Sequence, residues 1–67
     1  MNLANGKTVD LDLVGLDGNV FNLIGAFLRQ AKREKWEESE IKAVTDAAMS
    51  GDYDNALRVL VEHCEPA

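Results

Sequence analysis

The chain has 67 residues and a formal charge of −5, from twelve acidic against seven basic side chains. A chain this short buries only about 60% of the surface it exposes when unfolded, which excludes a second core and predicts one domain over residues 1–67. Its 46% hydrophobic content is too high for a disordered tail, and its negative charge disfavours nucleic acid as a partner.

With one cysteine, Cys64, no intramolecular disulfide can form, and a lone thiol fits a reducing compartment. The opening run MNLANGKTVDLDLVG lacks the basic start, apolar stretch and cleavage site of a secretory leader, and no segment is long and apolar enough to span a bilayer. The expected location is the cytoplasm, away from membranes.

Asn5-Gly6 is a strong hairpin signal, so residues 1–4 are candidates to fold back on residues 7–10. Register opposes this pairing, because a two-residue turn sets Leu3 on the face of Thr8 and Asp10 rather than that of Val9 and Leu11. Residues 8–14 alternate with period two, Val9, Leu11 and Leu13 against Thr8, Asp10 and Asp12, which predicts a half-buried strand.

A turn at Gly15-Leu16-Asp17-Gly18 ends that strand, and Asp17 or Asn19 is placed to cap a first helix over about 20–34. Val20, Phe21, Leu23, Ile24, Phe27, Leu28 and Ala31 cover an arc of about 160°, the width of a main core helix. Phe21 and Ile24 are therefore both expected to be core residues. Gly25, at the edge of the arc, weakens the helix by about 1 kcal/mol relative to alanine, which points to a close approach by some other segment.

The second helix is expected over about 37–50. Trp36 is set to pack on Ile41 and Glu40 to return to the N–H of the capping Glu37, while Ser50-Gly51 closes the helix with glycine at a left-handed position. The third, over about 52–64, places Tyr53, Ala56, Leu57, Leu60, Val61 and Cys64 on one apolar face before Pro66 stops it. His63 falls at the edge of that face. The expected fold is thus mostly α: one short N-terminal strand followed by three helices.

Catalytic chemistry finds little support. His63 and Cys64, the sole histidine and cysteine, are helix neighbours pointing about 100° apart, unsuited to act as base and nucleophile. Asp17-Gly18 matches the fifth and sixth positions of a calcium loop, but Leu13, Gly15 and Ile24 then occupy the first, third and twelfth, and none supplies a side-chain oxygen. No phosphate-binding loop or nucleophile elbow is present, so no cofactor, metal or enzymatic activity is expected. Ala47 and Gly51 are spaced like the turn of a helix-turn-helix. The recognition helix would then be DYDNALRVLVEHCE, in which Asp52, Asp54, Glu62 and Glu65 outweigh Arg58.

VDLDLVGLDGNVFNLIGAF, KWEESEIKAV and SGDYDNAL, together spanning residues 9–60, resemble segments of a group of short proteins carried by bacteriophages, prophages and other mobile elements. The resemblance brings no activity with it and implies a setting in which small proteins act by seizing a host protein, antiviral defence components included. The expected function is a non-catalytic protein-binding module, with a small helix-turn-helix transcriptional regulator as the alternative. Candidate partner-binding residues are the cations Arg29, Lys32, Arg33 and Lys35, with Trp36 and Val59. A homodimer is also expected, because Leu16 and Val59 lie off the core arcs, Ala43 and Ala47 form a small-residue side of the second helix, and residues 9–14 lack a strand partner.

Overall fold

A computed structural model of the chain describes residues 2–16 and 18–66. Among these residues three helices follow one another, α1 (Val20–Arg33), α2 (Glu38–Met49) and α3 (Tyr53–His63), each packed on the other two. No helix among the described residues is long and apolar enough to cross a membrane.

Helix α1 starts where the Asn19 side chain accepts the Phe21 N–H at 2.9 Å. Asp17, the other expected cap, lies outside the described residues. Leu23, Ile24, Phe27 and Ala31 form its buried face. Its end is a Schellman turn: Trp36 N–H donates to the Ala31 carbonyl and Lys35 N–H to that of Lys32, with Lys35 left-handed at φ 65°. Glycine normally fills that position, since a Cβ there costs roughly 1–2 kcal/mol. Lys35→Gly should therefore raise stability by roughly 0.5–1 kcal/mol, seen as a higher urea midpoint at unchanged slope. A lower midpoint would mean that the lysine side chain contributes more than its backbone strain costs.

The turn delivers Trp36 into the core, edge-on to Phe27 with ring centroids 5.5 Å apart. Glu37 then caps α2, and Glu40 Oε1 accepts the Glu37 N–H at 3.0 Å, as its spacing predicts. Glu40 is buried and also accepts from Lys7 Nζ at 2.9 Å. The Lys7 ammonium first, then the Glu37 N–H, hold its carboxyl below the usual carboxylate range. One acid thus caps a helix and ties down the N-terminal segment.

Gly51 is not left-handed, contrary to the expected helix closure; among the described residues the positive-φ glycines are Gly6 and Gly15. It is needed for space. An added Cβ would come within 2.9–3.0 Å of the Asn55 side chain, which donates to the Ala47 carbonyl and joins α2 to α3. Asp52 caps α3 by accepting the Asn55 N–H.

The expected strand over residues 8–14 is absent from the described residues. In its place stands one isolated parallel bridge, Val9 to Cys64, with Val9 N–H donating to the His63 carbonyl and Glu65 N–H to that of Val9. Asn5 and Gly6 do form a tight turn, with Lys7 N–H donating to the Ala4 carbonyl at 3.1 Å and φ of 58° and 83°. Among the described residues no hairpin grows from it. The Asn2 side chain accepts the Ala4 and Gly6 N–H groups and donates to the Lys7 carbonyl, satisfying backbone that a paired strand would have used. Further along, Asp10 N–H donates to the Glu34 carboxylate and Val14 N–H to that of Asp12. Side chains therefore replace a sheet ladder, and the alternation survives as a packing pattern: Val9 is fully buried, Leu11 and Leu13 pack on the core, and Asp10 and Asp12 are exposed.

Candidate functional site

His63 is a structural residue. It is fully buried rather than at the edge of its helix face, because the N-terminal segment lies across the end of α3. Its Nε2 accepts the Leu3 N–H at 2.8 Å and its Nδ1 lies 2.6 Å from the Val59 carbonyl. A backbone N–H only donates and a carbonyl only accepts, so the ring is the neutral tautomer protonated at Nδ1. Both nitrogens are engaged, and neither faces the neighbouring thiol.

Cys64 is half-buried, and burial, followed by the nearby Glu34 carboxylate, pushes its thiol up to about 11. A thiolate is the reactive species, so Cys64 should resist iodoacetamide at pH 8 in the folded protein and react normally in urea. Cys64→Ser should lower the melting temperature and leave partner binding intact; rapid alkylation of the native protein would identify a reactive thiol instead. Among the described residues no three His, Cys, Asp or Glu side chains gather to hold a metal.

The residues singled out for partner binding divide in two. Arg29, Lys32, Arg33 and Lys35 are exposed on and just after the last turns of α1, where Lys32 and Arg33 complement the helix dipole. Trp36 and Val59 belong to the interior. Trp36 is buried against Phe27, and Val59 packs on the core with its carbonyl bound to His63. The tight end of α1 turns the indole inward, and the N-terminal segment brings material over α3 that its own period does not foresee.

Exposed apolar surface lies elsewhere. Phe21 is 72% exposed, overturning its expected place in the core, and Met49 (56%) and Tyr53 (45%) stand near it. The three rim an open cavity of about 290 Å³ floored by Ile24, Ala48 and Ala56, where the start of α1 meets the end of α2 and the start of α3. Tyr53 is fixed there by donating its hydroxyl to the Gly18 carbonyl at 2.7 Å. Among the described residues of the lining, Asp52 is the charged one. Phe21 lies at one margin of a broad arc, and only the position of the neighbouring helices decides which margin is covered. Met49 at a helix end and Tyr53 at a helix start gave no sign in the sequence that they would meet. Compared with known proteins, the chain matches no family model, no curated protein and no solved structure.

Proposed function

We propose that this protein is a non-catalytic protein-binding module that docks its partner on the apolar cavity rimmed by Phe21, Met49 and Tyr53. The observation that carries this reading is the exposure of three large apolar side chains around one concave surface of a very small domain; such patches commonly mark contact sites. The resemblance of residues 9–60 to proteins of mobile elements favours a host protein as the target, with antiviral defence components as one class.

The test compares wild type with Met49→Glu as baits in host lysate. Met49 is mostly exposed, so the variant should keep its melting temperature while losing most of any specifically captured protein. Equal capture by both baits would remove the cavity as the docking site. Titration of duplex DNA separates the transcriptional-regulator alternative: binding that falls steeply as salt rises would support it, and no binding at moderate salt is expected here.

A further inference from the structure

The turn at Asn5-Gly6 brings together groups that react with one another. Of the asparagines in the sequence, Asn5 alone precedes a glycine, and both residues are exposed to water. A glycine nitrogen, with no Cβ beside it, reaches the side-chain carbonyl carbon of a preceding asparagine more freely than that of any other residue. Attack of the Gly6 nitrogen on Asn5 Cγ forms a cyclic imide as the Cγ–Nδ2 bond breaks, and Nδ2 leaves as ammonia with the proton that Gly6 gives up. Water then opens the imide. Addition at Cγ gives aspartate, and addition at the Asn5 main-chain carbonyl carbon gives isoaspartate, whose backbone runs through Cγ.

The folded turn opposes this reaction at both reacting groups. Gly6 N–H donates to Asn2 Oδ1 at 3.0 Å, which keeps the proton on the nucleophile, and Asn5 Nδ2 donates to Glu40 Oε2 at 3.4 Å, which engages the leaving amide. We infer that Asn5 is a site of slow self-conversion to aspartate and isoaspartate, restrained by Asn2 and Glu40, and that conversion unlatches the N-terminal segment from the helices. Aspartate in place of Asn5 sets a carboxylate where an amide now donates to the buried Glu40 carboxylate, with the Lys7 ammonium left to serve two anions. Isoaspartate adds a carbon to the backbone of a turn closed by the Lys7 N–H bond to the Ala4 carbonyl. Ala4 is fully buried on one side of that turn and Lys7 is tied to Glu40 on the other, so neither end is free to absorb the extra length. Both products loosen the turn, and with it the adjoining Leu3 N–H bond to His63. The change runs one way, since neither product takes ammonia back.

Incubation of the full chain at neutral pH and physiological temperature, followed by peptide mapping for isoaspartate, tests the site. Conversion should be confined to Asn5, and about tenfold or more slower in the native protein than in guanidinium chloride, because two hydrogen bonds must open first. Asn2→Ala, which frees the Gly6 N–H, should speed native conversion and leave the denatured rate unchanged. No conversion in the denatured chain would overturn the site; equal native and denatured rates, or no acceleration by Asn2→Ala, would overturn the restraint. Hydrogen exchange on the converted protein, separated from its parent by charge, tests the unlatching: the amides of Leu3 and Lys7 should lose protection about tenfold or more while those of α1 keep theirs. Asn5→Gly keeps the left-handed turn and removes the bond to Glu40 without adding a charge or a carbon, so it should lose less. Unchanged exchange after conversion, or a loss no greater than that of Asn5→Gly, would overturn the unlatching.

Discussion

Phe27→Ala should leave the chain largely unfolded at room temperature, while Phe21→Ala, six residues earlier on the same helix, should melt close to wild type. Phe27 is fully buried and packs edge-on against Trp36, where α1 turns towards α2. Truncating a buried phenylalanine costs roughly 3–5 kcal/mol, comparable to the whole stability of a domain this small. Phe21 is 72% exposed and leaves little cavity behind, so its loss should stay within about 1 kcal/mol. Urea titrations followed by far-UV circular dichroism separate the two. A Phe21→Ala variant as unstable as Phe27→Ala would place Phe21 in the core and remove it from the docking surface.

The second large effect is expected at His63. His63→Leu keeps the bulk but leaves the Leu3 N–H without its acceptor and removes the second bond to the Val59 carbonyl, which keeps its partner within α3. A donor left without a partner costs about 1–3 kcal/mol and the lost bond to Val59 about 1 kcal/mol more, so a loss of roughly 2–3 kcal/mol is expected. The segment carrying Leu3 and Val9 should loosen first, and hydrogen exchange should show it: the amides of Leu3 and Val9 lose protection before those of α1. His63→Gln, with a donor and an acceptor, should recover part of the loss. Full stability of the leucine variant would show that the N-terminal segment is held without the imidazole, by Val9 packing, its backbone bridge to the end of α3 and the Lys7–Glu40 pair.

Several structural features were legible in the sequence because they depend on neighbours a few residues apart. The three helices follow from apolar spacing and short polar caps, with Asn19 and Asp52 where a side-chain oxygen is needed. The Glu40 return to Glu37 and the inward facing of Val9, Leu11 and Leu13 belong to the same class. The Asn5-Gly6 turn was equally local, and the register conflict beside it explains why no ladder extends from it.

Features that depend on contacts between residues far apart in the chain required the tertiary structure. Alternation specifies which side chains face inward without specifying what the backbone pairs with, so residues 8–14 appeared as a strand although side chains and the end of α3 meet their hydrogen bonds. The burial of His63 depends on Leu3, sixty positions away. A 3.6-residue period defines an apolar arc but does not fix which edge a neighbouring helix covers, and the packing of α2 and α3 left Phe21 in solvent while drawing Trp36 and Val59 inside. The chain's local chemistry therefore determined its helices and their caps, and the packing of one helix against another decided which apolar side chains remained free to meet a partner.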